Sequence, residues 1–294
     1  MRLKSMILML GIVTFAAAQP LQDKLRARIA EFPGTVSLYA KNLDTGTAVG
    51  IRESDPVRTA STIKLPIMMA VFDAVDRRQA TWTEPLTVTA AEKVGGTGII
   101  GSEISDGVHL PLRDVIHLMI VISDNTATNM ILERFPADAV NAYLDKIGIR
   151  TTRALRRMRD DESVVGLSVA GKLPQNQEYG LGVSTPRDMV TILEKLQRGE
   201  IVNADASREM IAILRRCRDD SGIRRRLRGI SVANKTGSNN SFRSDVGIAY
   251  SNNGPIAMAI SVGGISQVDN TPDNVGCLLI ADLAKMLVDG LGAH

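Results

Sequence analysis

Apolar and polar positions alternate from 35 to 43, with Val36, Leu38 and Ala40 set against polar neighbours, the period of a half-buried strand. Asp44-Thr45-Gly46 then reads as a hairpin turn into a second strand over 48–52. Ahead of this hairpin, residues 21–32 have the spacing of an amphipathic helix. From Ser61 the period becomes helical. Residues 65–74 continue the helix that Ser61 opens, with Pro66 tolerable because it falls near the first turn. Further helices are predicted over 112–122, 125–134 and 137–147. Thr185 and Pro186 open another, as N-cap and first helical residue. Between 160 and 184 lies a polar, Gly-rich stretch without a clear period; loops of that length are often functional. Alternation returns over 230–235, 245–250 and 255–262, with Asn252-Asn253-Gly254 as the turn between the last two, and 273–291 closes as a helix.

This order, helix, two strands, helical block, three strands, helix, implies an α+β fold. A five-stranded antiparallel sheet carries the N- and C-terminal helices and is interrupted by an inserted all-helical subdomain. The expected partition is 19–60 with 205–294 for the α/β part and 61–204 for the helical part, one catalytic unit together. With 294 residues, 44% of them hydrophobic, the chain is large enough to fill such a core. Residues 1–18 read as a signal peptide: Arg2 and Lys4, an apolar run from Met6 to about Phe15, then Ala16-Ala17-Ala18 before Gln19. The run is too short for an ordinary membrane span, so the expectation is a periplasmic or secreted protein with no stable span after cleavage.

Loss of residues 1–18 takes two cations and no acid from a chain of 35 cations and 32 acids, leaving a net charge of about +1. That balance argues against a nucleic-acid binder. The one dense basic run, Arg224-Arg225-Arg226-Leu227-Arg228, reads as a solvated turn or helix end. Cys217 and Cys277 could pair in an exported chain or remain two packed thiols. The three histidines, His109, His117 and His294, show no metal-ligand spacing, so neither metal nor cofactor is expected. No Gly-x-Ser-x-Gly elbow occurs.

Three short motifs carry the chemistry: Ser61-Thr62-Ile63-Lys64, Ser123-Asp124-Asn125 and Lys235-Thr236-Gly237. A serine hydroxyl needs a base within reach, and a lysine three positions on along a helix shares its face. Among apolar and cationic neighbours that lysine loses its proton readily enough to act as the base. Backbone N–H groups at the helix start are placed to stabilise an oxyanion. Ser123 follows an apolar helix and can pass a proton to a leaving nitrogen, with the Asn125 amide holding an acyl amide carbonyl. Lys235 and Thr236 at a strand end suit a substrate carboxylate, and Gly237 leaves the strand edge open to the ligand. Arg243, early in the next strand, is either a second cation for that carboxylate or a hairpin surface charge.

The motif set, with the run from Leu118 to Asn129 and Gly96-Thr97-Gly98-Ile99-Ile100, resembles the class A β-lactamases and penicillin-binding proteins over nearly all the mature chain. The resemblance implies a β-lactamase-like fold and a small-molecule β-lactam or peptidoglycan-peptide substrate. It also implies an oxyanion hole made by the backbone N–H groups of Ser61 and Ser238; a monomer is expected. Class A enzymes carry a Glu-x-x-Leu-Asn element whose glutamate activates the deacylating water. Here the matching region, 152–162, places Met158 near the glutamate position, and no Leu-Asn follows the nearby acids. Asp160, Asp161, Glu162 and Glu178 are the candidates for the base, Glu162 first. The leading expectation is a secreted class A-like serine β-lactamase working through acyl-Ser61. The alternatives are a penicillin-binding-type carboxypeptidase or other serine hydrolase, and a β-lactam-binding sensor that acylates and stops.

Overall fold

The alternation at 35–43 becomes strand β1 (Thr35–Asn42), which turns through the positive-φ Gly46 into β2 (Ala48–Ile51). The structure, a computed structural model, describes residues 10–159 and 164–292, with side chains from residue 20 onward. Positions 1–9 of the expected signal peptide lie outside the described residues. After a helical excursion come β3 (Ser231–Asn239), β4 (Phe242–Ser251) and β5 (Gly254–Gly263). The spatial order is β2-β1-β5-β4-β3, every neighbouring pair antiparallel. Strand β1 lies against β5, Thr35 opposite Gly263 and Asn42 opposite Ile256, so the two ends of the chain close one sheet around the inserted helices.

The two-residue period sorts the sheet's faces. Val36, Leu38, Ile256, Met258 and Ile260 are buried under α1 (Leu10–Ala30) and the closing helix, where Leu25, Leu279, Leu283 and Leu287 meet them. Ala233, Val246, Ile248, Ala257 and Ala259 face the other way, into the core of the helical part. At the centre of that core is α2 (Lys64–Asp76), buried at every position from Lys64 to Ala74. Around it lie α3 (Leu112–Val121), α4 (Asn125–Arg134), α5 (Ala137–Lys146), α6 (Pro186–Gln197) and α7 (Ala204–Arg215); α8 (Val275–Leu291) closes the chain. As expected, Thr185 caps α6, its side chain accepting from Asp188 N at 3.0 Å.

Several expectations need correction. Ser61 does not open the α-helix; it sits in a 3₁₀ turn, Ala60–Ile63, and α2 begins at Lys64. The strand expected over 230–235 runs on to Asn239, and the next starts at Phe242, because a two-residue loop keeps both in one ladder. Helix α7 was not expected. In the stretch 160–184 the described residues carry 3₁₀ turns at Ala170–Lys172 and Pro174–Tyr179, then a strand, Gly182–Ser184, paired with Val57–Arg58 and Arg153–Ala154. Arg224 is half-buried rather than a free surface charge; its guanidinium donates to the carbonyls of Leu214, Arg215 and Val232 and to Asn234 Oδ1. Cys217 and Cys277 are buried, unpaired thiols. Among the described residues no helix is long and apolar enough to cross a membrane.

Candidate active site

The three motifs meet in one cleft of about 1120 Å³, lined by Ser61, Ser123, Asn125, Thr236, Gly237 and Ser238 among others. Two of its non-glycine residues hold left-handed backbone, Ala60 (φ +44°) just before the serine and Ser123 (φ +57°). Such strain persists only where surrounding contacts enforce it. Gly237 supplies one of them. A Cβ there would meet Thr59 O at 2.5 Å and the N atoms of Ser61 and Thr62 at 3.0 Å. The glycine therefore lets β3 press its edge onto the nucleophile turn, a closer requirement than the open ligand edge expected for it.

Lys64 and Lys235 are both fully buried, and both reach Ser123. Lys64 Nζ donates to Ser123 O (2.8 Å), Ser123 Oγ (3.2 Å) and Asn125 Oδ1 (3.0 Å). Lys235 Nζ donates to Ser123 Oγ (3.0 Å) and Thr236 O (2.8 Å). Ser123 Oγ thus lies within hydrogen-bonding reach of both lysines at once. Burial, reinforced by the Lys235 charge, holds the Lys64 ammonium well below the ordinary lysine range; Asp124 opposes the shift. Burial also lowers Lys235, opposed by Cys217, Asp219 and Asp245. Ser61 Oγ makes no hydrogen bond to other described residues.

Asp124 fixes this arrangement. Its buried carboxylate accepts from Ala127 N (2.8 Å), capping α4, and from Ile99 N (2.7 Å) and Ile100 N (2.9 Å). Thr97 completes the clamp: its Oγ1 donates to Ser123 O at 2.6 Å, and its carbonyl accepts from Asn125 N at 2.9 Å. The Gly96–Ile100 segment thus both lines the cleft and holds Ser123 in its strained conformation. Thr97 was not singled out for this duty, since a lone threonine between glycines has no distinctive pattern.

Where a deacylating base was sought, the cleft presents Met158, 6% exposed. Asn129, one helical turn beyond Asn125, grips its backbone: Nδ2 donates to Met158 O (3.1 Å) and Oδ1 accepts from Met158 N (2.9 Å). Asp160, Asp161 and Glu162 lie outside the described residues. Glu178 is exposed on the cleft rim. Of the two readings of Arg243, the structure excludes the surface charge. Arg243 is 5% exposed, and its guanidinium donates to the carbonyls of Asn239, Phe242 and Asp269, locking the β3–β4 turn to the following loop. His109 is exposed and His117 lies beside Arg216. Among the described residues no cluster of His, Cys, Asp or Glu is placed to hold a metal ion.

A five-stranded antiparallel sheet with an inserted helical block, and a cleft joining a Ser-x-x-Lys turn to a Ser-Asp-Asn loop and a Lys-Thr-Gly strand, define a β-lactamase-like serine hydrolase. The chain belongs to the Beta-lactamase enzyme family, whose model matches residues 20–291. It is similar to a β-lactamase from Sphaerobacter thermophilus, with 26% identity, TM-score 0.79, and 95% of this chain and 97% of that one covered. It is also similar to the penicillin-binding protein PBP-A, with 28% identity, TM-score 0.76, and 92% and 95% covered. A third relative is the β-lactamase regulatory protein BlaB of Streptomyces cacaoi, 25% identical, covering 93% of this chain and 98% of that one.

Proposed function

We propose that the chain is an exported serine enzyme, periplasmic or secreted, that takes β-lactams or peptidoglycan-type peptides as acyl donors to Ser61 and releases the acyl group slowly. Lys64, in its neutral form, takes the Ser61 proton as Oγ attacks the carbonyl carbon. The developing oxyanion is met by the backbone N–H groups of Ser61 and Ser238. The C–N bond then breaks and the nitrogen takes the Ser123 proton, which Lys64 replaces. Asn125 holds the acyl amide, and Lys235 with Thr236 holds the donor's carboxylate.

Slow release rests on Met158. A thioether cannot activate water, and Asn129 holds it at the cleft wall. A general base contributes about 10² to 10⁴ in rate, so its absence stalls deacylation while acylation proceeds. The acyl-enzyme of a PBP-A mutant with penicillin G is a solved relative of this fold, consistent with a stable adduct on such a scaffold. The second reading, a β-lactamase that turns over rapidly, is favoured by the likeness to the Sphaerobacter enzyme and needs Glu162 or a neighbouring acid as base. Intact-mass spectrometry with a chromogenic cephalosporin separates them. A lasting one-to-one adduct with a single burst of colour supports slow release; sustained colour without adduct supports the second reading. Observing neither colour nor adduct would overturn both.

A further inference from the structure

The cleft's two walls differ in how their cations are partnered. On the side of the departing nitrogen, Ser123, Lys235 and Thr236 are bound to one another, and Arg243 is committed to backbone carbonyls. The opposite wall runs from Met158 to the 3₁₀ turn Pro174–Tyr179 and Gly180. Two arginines flank it. Arg58 projects from the short strand Val57–Arg58, which pairs with Gly182–Ser184, and its charge reaches the Tyr179 phenol. Arg156 brings Nη2 to 3.9 Å from where a Cβ on Gly180 would stand. Arg58 is exposed, Arg156 is half-buried, and neither guanidinium makes an ion pair or hydrogen bond with the described residues. Arg157 on the same segment differs, being paired with Glu133 and Glu92. Glu178 is the one described acid on this rim.

An unpartnered, half-buried guanidinium is a cation partly stripped of water with its five donors unused, and it favours an anion brought within reach. The direction of the donor in the cleft says which part of it arrives there. With the nitrogen departing toward Ser123 and Lys235, the substituent on the acyl carbon extends the other way, past Asn125 toward Met158 and Gly180. We propose that Arg58 and Arg156 form an anion subsite for the acyl side of the donor, so that this enzyme prefers penicillins or peptides bearing a carboxylate there. This inference rests on the reading of Ser61 as the acylated nucleophile.

The test compares benzylpenicillin with its α-carboxy counterpart, carbenicillin, which differ by one carboxylate on the acyl side. The readout is the second-order rate constant for labelling Ser61, followed by intact mass at low and high ionic strength. At low salt, carbenicillin acylates about three- to tenfold faster, and the advantage shrinks as salt screens it. In an Arg58→Gln/Arg156→Gln variant the ratio falls to about one, whatever happens to the two rates separately. Equal rates in the wild-type protein at low salt, or a ratio the variant leaves intact, would overturn the subsite while leaving the acylation of Ser61 standing. Observing neither adduct nor hydrolysis with either penicillin would overturn the acylation reading, and the subsite with it.

Discussion

Asn129 and Met158 form a side-chain-to-backbone amide pair: the Asn129 carboxamide donates to Met158 O at 3.1 Å and accepts from Met158 N at 2.9 Å. The scaffold thus fixes the position where a deacylating acid was sought and fills it with an apolar side chain. Met158→Glu is expected to shorten the lifetime of the penicillin adduct by about 10- to 100-fold, at or below the lower end of what a general base supplies, because the Asn129 carboxamide is committed to the backbone of residue 158 rather than to a water. Burying a carboxylate at a 6% exposed site also costs about 1–3 kcal/mol, seen as a lower Tm. Adduct half-life by mass spectrometry and Tm by calorimetry check both. An unchanged adduct lifetime in a folded variant would refute slow release through a missing base.

The cation on Lys235 acts on Lys64 as well as on substrate. Burial and then Lys235 push the Lys64 ammonium below its ordinary range, so acylation should rise with pH to a plateau reached well below the usual lysine pKa. Removing the Lys235 charge takes away the second of these causes, so Lys64 holds its proton more tightly. The rising limb of the acylation profile of Lys235→Met is expected to move to higher pH. The midpoint is the readout, because the amplitude also falls when a carboxylate ligand is lost. A midpoint that stays in place or moves down would show that Lys64 is not the titrating base.

Asp245 lies beneath the Lys-Thr-Gly strand, opposite Thr236 in the β3–β4 register. It is fully buried, holds Ile223 N at 2.8 Å and Asn234 Nδ2 at 2.9 Å, and titrates at about 7 against 3.8 in solution, chiefly through burial. A raised folded-state pKa means that the folded protein binds the extra proton between about pH 4 and 7. The stabilising contribution is complete below pH 4 and is lost as pH rises through 7. Asp245→Asn removes this titration. Relative to the wild type, its Tm should therefore compare better at pH 8 than at pH 5. A Tm difference that is flat across that range would refute the assignment.

Gly237 and the nucleophile turn are in backbone contact, with Thr59 O at 2.5 Å and Ser61 N at 3.0 Å from where a Cβ on residue 237 would stand. Gly237→Ala is expected to lower acylation at least about 100-fold by moving Ser61 N out of the oxyanion site, for a stability loss of about 1–3 kcal/mol. Acylation rate and Tm measured on the same variant check it. A near-normal rate would mean that the turn relaxes without affecting the serine.

The chemistry was legible in the sequence where it is local. Ser61 with Lys64, and Ser123 with Asn125, are linked by spacing within one turn, and the strands' alternation gave the faces of the sheet. What escaped depends on contacts between distant segments. The role of Gly237 is set by Thr59, far away in sequence, and Arg243 is buried by carbonyls from a loop at Asp269. Turns such as Pro174–Tyr179 leave no hydropathy period because their residues face solvent or cleft rather than core. Asn129 was within reach, since four residues on from Asn125 on a helix lies on the same face. Helix α7 carried its own signal too: an Asn203 cap whose side chain accepts from Ala206 N, then Met210, Ile211 and Leu214 at helical spacing.

Arg243 separates two kinds of contribution to the same cleft. A cation that binds the donor's carboxylate is worth something only when that carboxylate is present. A cation that ties the carbonyls of Asn239, Phe242 and Asp269 together holds the strand end where Ser238 sits, for every donor alike. The geometry favours the second, making Arg243 a positioning residue. Arg243→Met is expected to lower Tm by about 4–8 °C, the equivalent of about 2 kcal/mol for loss of a buried, multiply bonded cation in a protein of this size. It should slow acylation by benzylpenicillin and by its methyl ester in the same proportion. If the free acid loses much more than the ester, Arg243 reaches the carboxylate, and the carbonyl contacts are secondary.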